Sequence, residues 1–154
     1  MRDIPPAGPV DDDIRSGEKA VALPQRFDAG LYFIGLIRTP WTERRACPRR
    51  GDVETGPVCT LEIDPRWTDA LEGVADCAVL QVLYWMNRAR RDLVLQSPRD
   101  GATRGTFALR SPVRPNPIAS SMVRLVAVDG LKVQVRGLDC LDGTPLIDLK
   151  SEPR

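Results

Sequence analysis

The sequence predicts an all-β fold built from short strands. Several short segments are rich in β-branched and aromatic residues, glycine and proline are frequent between them, and few helix-length periodic segments are present. The chain has 154 residues, which is long enough for one domain with a hydrophobic core. We therefore expect a β-barrel or a β-sandwich with one or two short helical turns.

The N-terminal residues differ in composition from the rest of the chain. Residues 1–27 are rich in proline, glycine, alanine and charge and show little periodicity, which predicts a flexible arm. The folded domain is expected over residues 28–154. Its first strand is predicted at residues 31–38, an aromatic and β-branched segment that ends at Thr39-Pro40. Residues 41–57 follow as a polar surface loop with four arginines.

The middle of the chain predicts two strands separated by a helical turn. Residues 58–63 alternate apolar and polar side chains, which indicates a half-buried strand. Asp64-Pro65 then begins a short helical turn through Trp67 and Leu71. Residues 75–85 form the most apolar segment and favour a strand, although periodicity alone does not exclude a buried helix. Residues 93–104 are expected to form a loop, and residues 105–109 a short strand.

The clearest local signal is a β-hairpin. Residues 122–128 and 131–136 are strand-like and flank Asp129-Gly130. An Asp-Gly pair supplies the positive φ angles that a two-residue hairpin turn requires. We therefore predict a hairpin at residues 122–136.

Composition excludes several classes of active site. Histidine is absent, which excludes Ser-His and Cys-His nucleophile pairs and histidine-based metal sites. The four cysteines are widely spaced and form no C-x-x-C pair, so we expect free thiols, no disulfide framework and no metal. Acid or base chemistry must then fall to carboxylates, tyrosines or lysines.

Hydropathy and charge bound the location and the partners. No apolar run is long enough for a membrane span and no signal peptide is evident, so we expect a cytoplasmic protein without a membrane partner. The net charge is +1, with 22 Lys and Arg against 21 Asp and Glu. Any contact with RNA must therefore come from local clusters of basic residues.

A proline-rich segment presents three polar donors. In residues 110–118 three prolines prevent both a helix and an interior strand, while Arg110, Arg114 and Asn116 are held on a stiff backbone. Such a loop presents hydrogen-bond donors at low entropic cost. A rigid surface connection with solvated arginines explains the same residues equally well.

An acidic segment near the C-terminus is the second candidate for chemistry. Asp139, Asp142 and Asp148 lie in a mostly apolar stretch, and Gly143 with Pro145 predicts a turn. Carboxylates there suit ribose hydroxyls, a sulfonium or guanidinium partner, or acceptance of a proton. The alternative is an Asx-type turn in which Asp142 caps its own backbone.

Five segments together resemble the TsaA-like (YaeB/TrmO, VirR-like) family. The resemblance covers essentially all of residues 31–150, and the two longest motifs are specific because chance rarely supplies both. The segments are FIGLIRTPW at 33–41, CPRRG at 47–51, VLQVLYWMNRARR at 79–91, FALRSPVRPNPI at 107–118 and GLDCLDGTPLIDLK at 137–150.

The resemblance implies a fold, a cofactor and an activity. Members of the family are small β-barrels that bind S-adenosylmethionine, commonly as homodimers with the cofactor near the subunit interface. The implied fold is a small single-domain β-barrel with one or two short helices, and residues 41–57 should line the dimer contact. The implied reaction is N6-methylation of threonylcarbamoyladenosine next to the tRNA anticodon.

The resemblance also implies site residues. The cofactor contacts carried over by position are Arg49, Arg50, Asn87, Arg88, Arg110, Ser120, Asp139, Cys140, Leu141 and Asp142. Arg114 and Asn116 are the expected substrate-side donors. A carboxylate should take the proton of the weakly nucleophilic amine, with Asp142 as the first candidate and Asp139 as the second.

The sequence departs from the family pattern at the implied site. Arg50 replaces the usual glutamine, Asn87 replaces the usual histidine, and Ser120 lies in an altered IGLS segment. Two alternatives to the tRNA methyltransferase therefore stay open. One is a cofactor-binding sensor or interaction module, and the other is a methyltransferase that acts on a small metabolite or another RNA.

Overall fold

The computed structural model describes residues 14–152, which form two compact units. We call residues 14–30 and Met86–Ile118 the three-stranded unit, and residues 31–85 and 119–152 the barrel unit. The described residues contain short 3-10 helices at Pro65–Leu71, Val74–Asp76 and Thr106–Ala108. The strands are β1 (Lys19–Ala20), β2 (Gly35–Arg38), β3 (Cys59–Ile63), β4 (Val79–Trp85), β5 (Leu93–Gln96), β6 (Arg104–Gly105), β7 (Ile118–Asp129), β8 (Lys132–Arg136) and β9 (Thr144–Ser151).

Six strands close into a barrel in the order β2-β3-β8-β7-β4-β9, with β9 pairing back onto β2. Side chains alternate between inside and outside along β3 and β4, which bury every second residue. The inward side chains fill the barrel and form its core. Those that are almost fully buried include Ile37, Leu61, Leu80, Val82, Val123, Val133, Val135 and Leu146. The predicted all-β barrel is confirmed.

The first predicted strand is only half correct. Residues 35–38 form β2, but residues 31–34 precede the strand. The Tyr32 side chain is 79% exposed and its ring lies 6.4 Å from the Trp67 ring. The backbones of β2 and β3 lie very close together at Gly35, the first residue of β2. A Cβ there would lie 2.0 Å from the Glu62 carbonyl oxygen, so the position requires glycine.

Two local predictions in the barrel unit are confirmed. The Asp64 carboxylate accepts a hydrogen bond from Arg66 N at 3.1 Å and caps the 3-10 helix that starts at Pro65. In the hairpin, Asp129 ends β7 and pairs with Lys132, so the two turn residues are Gly130 and Leu131. Gly130 has φ of 56°, but the positive φ expected at Asp129 is wrong, because that residue belongs to the strand. Both features depend on residues close in sequence, which is why the sequence predicts them.

The three-stranded unit corrects two predictions. The expected loop at residues 93–104 is wrong, because it contains β5 and the first residue of β6. The expected strand at residues 105–109 is also wrong, because residues 106–108 form a 3-10 helix. Its first residue, Thr106, is buried and donates a hydrogen bond to Leu93 O at 2.6 Å. This bond ties the start of the 3-10 helix to the first residue of β5.

The N-terminal arm predicted for residues 1–27 is described only from residue 14. Within the described part, β1 pairs with the central strand β5 of the sheet β1-β5-β6. Glu18 accepts hydrogen bonds from Arg15 N and Ser97 N, which fixes the turn before β1. Residues 1–13 lie outside the described residues.

Candidate functional site

The arginine loop and the acidic segment predicted from the sequence lie against each other in the barrel unit. The Cys47 thiol donates a hydrogen bond to Asp139 O at 3.0 Å. A Cβ on Gly51 would lie 1.8 Å from Gly137 O, so only glycine permits this close approach of two backbones. Residues 47–51 therefore form a clasp on the segment before and at Asp139, and Arg49 and Arg50 are exposed within it.

A second segment fixes the acidic turn from the other side. Thr39 N donates to Asp142 Oδ1 at 3.1 Å, and Thr39 Oγ1 donates to Cys140 O at 2.9 Å. Asp142 N in turn donates to Trp41 O at 2.7 Å. Asp142 therefore caps the backbone of Thr39, in a distant segment, and not the backbone of its own turn as the Asx-turn alternative proposed.

Asp142 also faces a cation. Its Oδ2 lies 3.7 Å from Arg38 Nη1, and its side chain is 34% exposed. Arg38 donates a second, shorter contact of 3.1 Å to Glu62. Both oxygens of Asp142 thus have protein partners, which suits a role in holding the turn.

Asp139 is oriented by a chain of hydroxyl groups. Tyr84 donates to Asp139 Oδ1 at 2.8 Å and lies 2.9 Å from Ser121 Oγ. A phenol has one proton, so with that proton on Asp139 the Ser121 hydroxyl must be the donor to Tyr84. Burial raises the pKa of the Tyr84 hydroxyl well above its usual range, so it stays protonated and keeps donating. The Asp139 Oδ2 atom has no hydrogen bond among the described residues.

The thiols beside this turn are poor nucleophiles. Burial raises the pKa of Cys47, and the neighbouring Asp139 carboxylate adds to the effect. Burial likewise raises the pKa of Cys140 far above its usual range. Both thiols stay protonated at neutral pH, so they pack and donate rather than attack.

The other predicted site residues lie in two places. Ser120 is exposed on β7 in the barrel unit, and its Oγ accepts a hydrogen bond from Gln81 Nε2 at 2.9 Å. The remaining five belong to the three-stranded unit, where Asn87 and Arg114 are half-buried and the other three are exposed. These five are Asn87, Arg88, Arg110, Arg114 and Asn116.

The predicted substrate donors have structural partners within the proline-rich loop. Arg114 Nη1 donates to Leu109 O at 3.1 Å and to Ser111 O at 2.9 Å. Asn116 Oδ1 accepts a hydrogen bond from Arg91 Nη2 at 3.3 Å. These bonds hold the loop in shape, so the proline rings are not its only source of rigidity.

An open cavity of about 290 Å³ lies within the three-stranded unit. Arg110 and Ser111 of the proline-rich loop line it on one side, and Arg15 and Glu18 line it on another. The Glu18 carboxylate accepts two backbone hydrogen bonds, which lower its pKa against the opposing cost of burial. The cavity therefore presents two guanidinium groups and an ionised carboxylate.

Sequence reasoning missed two residues of the site, Thr39 and Tyr84. The sequence places Thr39 at the end of a strand, yet its buried side chain donates a hydrogen bond to Cys140 O in the acidic turn. Tyr84 has the sequence pattern of an ordinary strand residue. The alternation of β4 points Tyr84 inward with Leu80 and Val82, and a buried phenol needs a hydrogen-bond partner. The need of a buried tyrosine for a hydrogen-bond partner is the sequence signal that could have pointed to Tyr84.

The part of the chain that the structure describes lacks two features, a metal-binding cluster and a membrane-spanning helix. Over residues 14–152, no group of three or more Cys, Asp and Glu side chains is arranged to hold a metal ion. No helix in the same range is long and apolar enough to cross a membrane.

Comparison with known proteins identifies the family. Residues 36–152 match the family described as tRNA-methyltransferase O N-terminal domain. The chain belongs to this family. The match includes the clasp, the acidic turn and the proline-rich loop, and it confirms the family expected from the sequence motifs.

Curated relatives of the tRNA-methyltransferase O family extend the comparison. A probable S-adenosyl-L-methionine-binding protein, VirR, from Rhizobium radiobacter is 54% identical over 140 residues, which are 90% of this chain and 79% of that protein. A putative S-adenosylmethionine-dependent methyltransferase, RcsF, from Pseudomonas aeruginosa is 36% identical over 76% of this chain and 54% of that protein. Both names contain the cofactor expected from the sequence.

A solved structure shares the fold. The crystal structure of TrmO from Pseudomonas aeruginosa aligns with a TM-score of 0.67 and 30% identity. The alignment covers 82% of this chain and 57% of that chain. This chain therefore spans little more than half the length of the solved relative.

Proposed function

We propose that this chain is an S-adenosylmethionine-dependent methyltransferase that methylates N6 of threonylcarbamoyladenosine in tRNA, next to the anticodon. One observation carries the proposal: the clasp at residues 47–51 and the acidic turn at residues 139–142 lie together on one barrel. The family motifs and the names of the relatives support the cofactor and the reaction class. The family resemblance supports the nucleoside.

The chemistry of the clasp and the turn suits this cofactor. S-adenosylmethionine carries a carboxylate, an ammonium, a sulfonium and a ribose diol, and when bound it supplies an activated methyl group. Arg49 and Arg50 offer guanidinium groups to the carboxylate. Asp139 and Asp142 offer acceptors to the ribose hydroxyls and to positive charge, beside the backbone of Cys140 and Leu141.

We keep the other cofactor and substrate contacts as proposals, at the residues that the family resemblance implies. Asn87, Arg88, Arg110 and Ser120 are proposed cofactor contacts, and Arg114 and Asn116 are proposed substrate contacts. We also propose that the protein works in the cytoplasm as a homodimer.

For proton acceptance we favour Asp139 over Asp142. Asp142 uses both carboxylate oxygens on Thr39 and Arg38, whereas Asp139 uses one on Tyr84. A carboxylate held by a protonated phenol has a fixed direction and one oxygen available for a proton, which is what a general base needs. Tyr84 and Ser121 are then positioning residues for Asp139.

The test is single-turnover transfer of labelled methyl to tRNA that contains threonylcarbamoyladenosine, with cofactor affinity measured in parallel by calorimetry. At saturating cofactor, Asp139→Asn should slow transfer by about 100-fold or more, because the amide cannot accept the proton. Asp142→Asn should lower stability and cofactor affinity, because it weakens the bond to Thr39 N and the contact with Arg38. Asp148→Asn is the matched control, because Asp148 lies on β9 and pairs with Lys150.

The outcomes separate the alternatives. An Asp139→Asn variant that transfers methyl at the unmodified rate removes Asp139 as the base. Tight cofactor binding without transfer to any tRNA fraction would favour a cofactor-binding module or a different acceptor. Absence of cofactor binding at millimolar concentration contradicts the proposed function altogether.

A further inference from the structure

The net charge of the whole chain conceals an uneven distribution between the two units. The described residues of the three-stranded unit carry ten Lys and Arg and four Asp and Glu, a net charge of +6. The described residues of the barrel unit carry ten Lys and Arg and thirteen Asp and Glu, a net charge of −3. A unit this basic attracts a polyanion, and the barrel unit has no such excess.

Most of the basic side chains of the three-stranded unit are directed to solvent. Arg90 forms a close ion pair with Asp92 at 2.8 Å, Arg91 bonds Pro115 O, and Arg114 bonds its own loop. The other seven are exposed, and Arg99 and Arg104 lie on the β5–β6 hairpin. Bonds within the protein therefore engage only a minority of the basic side chains of this unit, and most of its positive charge faces solvent.

An exposed aromatic ring lies in the same stretch of the chain as two of these basic residues. Phe107 is 82% exposed and lies between Arg104 and Arg110 in sequence. Its backbone is fixed, because the preceding Thr106 is buried and accepts a hydrogen bond from Gln96 Nε2 at 2.8 Å. Gln96 is buried as well and donates to Val113 O of the proline-rich loop at 2.7 Å. A rigid turn thus holds a phenylalanine ring in water.

This combination fits one class of ligand. Every nucleobase has an apolar face that stacks on an aromatic ring, and arginines beside the ring contact the phosphates. Bases within a duplex are already stacked, so only an unpaired strand offers its faces. An acidic protein surface would pair with the arginines but would leave the Phe107 ring exposed, so it explains the site less well.

We propose that the three-stranded unit binds an unpaired RNA loop, with Phe107 stacked on a base and Arg104 contacting a neighbouring phosphate. This inference rests on the proposed function, in which RNA is the methyl acceptor. It names the part of the chain that holds the acceptor, outside the clasp and the acidic turn. Binding of RNA is measurable without cofactor, so the two proposals are separable.

The experiment uses the full chain and fluorescence anisotropy with two labelled RNAs, a hairpin with an unpaired loop and the same stem as a blunt duplex. The hairpin should bind more tightly than the duplex. Phe107→Ser should weaken hairpin binding by about fivefold or more, the effect of losing one stacked base. Arg104→Gln should lower the slope of log affinity against log salt by about 0.7, the effect of one lost contact with a single strand.

Two variants of the barrel unit are matched controls. Tyr32→Ser removes an aromatic ring that is 79% exposed, and Lys132→Gln removes an exposed cation. Neither should alter hairpin affinity or its salt slope. Thermal unfolding checks that Phe107→Ser remains folded, which we expect because the ring contributes little buried surface.

Three results would overturn the inference. Hairpin affinity of Phe107→Ser equal to that of the unmodified protein would remove the stacking contact. Conversion of a dimer to a monomer by Phe107→Ser in light scattering would show that a second copy covers the ring. Tight cofactor binding without any RNA binding would refute the RNA surface and leave a methyltransferase with a small acceptor. RNA binding without cofactor binding would instead refute the proposed function and support the surface.

Discussion

Single buried groups set how the barrel responds to pH. Burial raises the pKa of Cys59 to about 11 from an ordinary value near 9, with a smaller contribution from Cys47. Cys59 is 1% exposed and is the first residue of β3 in the barrel wall. The thiolate therefore forms more easily in the unfolded chain than in the folded one, which links thiol ionisation to stability.

This linkage predicts a loss of stability in alkali. Because the folded pKa is raised, the stabilisation is complete below pH 9 and is lost as the pH rises from about 9 to 11. We expect Cys59 alone to contribute a fall of about 1–2 kcal/mol in the free energy of unfolding over this interval. Urea denaturation between pH 8 and pH 11 measures it.

Two variants separate ionisation from packing. Cys59→Ala should lower stability at pH 8 but flatten its decline in alkali. Leu61→Val, at a fully buried position of the same strand, should lower stability and keep the decline. An equal decline in Cys59→Ala and in the unmodified protein would contradict a role for this thiol.

At the scale of elements, two glycines hold the clasp to the acidic turn. Gly51 meets the Gly137 backbone, and Gly137 itself has φ of 114°, a conformation that favours glycine. The hydrogen bond from Cys47 to Asp139 O supports the same contact. Arg49 and Arg50 can therefore take their positions relative to Asp139 only because Gly51 has no side chain.

Gly51→Ala should therefore push the clasp away from the turn. We expect a loss of about 1–3 kcal/mol of stability from the clash with the Gly137 carbonyl, together with weaker cofactor binding. Gly30→Ala is the matched control, because a Cβ there meets no atom within 4 Å. Urea denaturation and calorimetry measure the two effects, and unchanged values for Gly51→Ala would show that the clasp tolerates displacement.

The elements also show what a sequence can and cannot predict. The hairpin and the turn capped by Asp64 follow from neighbouring residues, so local patterns predict both, although the hairpin turn lies one residue later than expected, at Gly130-Leu131. Strand β5 has only four residues and pairs with β1 far away in sequence, so no local pattern marked it. The hydrogen bond from Thr39 N to Asp142 Oδ1 joins residues 103 positions apart, so the sequence could not predict it either.

At the scale of the whole molecule, the outer surface of the barrel unit carries apolar side chains that a partner would cover. Val53 and Met122 are 37% and 44% exposed. Both lie beside Gly137, because a Cβ on that glycine would approach Val53 Cγ1 to 2.6 Å and Met122 O to 3.3 Å. Val53 belongs to residues 41–57, the loop that the family resemblance implies should line a dimer contact. A second copy of the chain is therefore the partner we expect at this patch.

We predict a dimer in light scattering at about 10 µM that depends on this patch. Met122→Lys should raise the dimer dissociation constant by about 100-fold or more, because it places a charge in an apolar contact. Val21→Lys is the control, since Val21 is 41% exposed in the three-stranded unit. A monomer at about 10⁻⁴ M, or equal dissociation of both variants, would contradict the proposal that this patch forms the dimer contact.

Cofactor titration of monomeric Met122→Lys then tests whether the two subunits share the cofactor site. Weakened binding would mean that a residue of the partner contacts the cofactor, and unchanged binding would mean that one chain holds it alone.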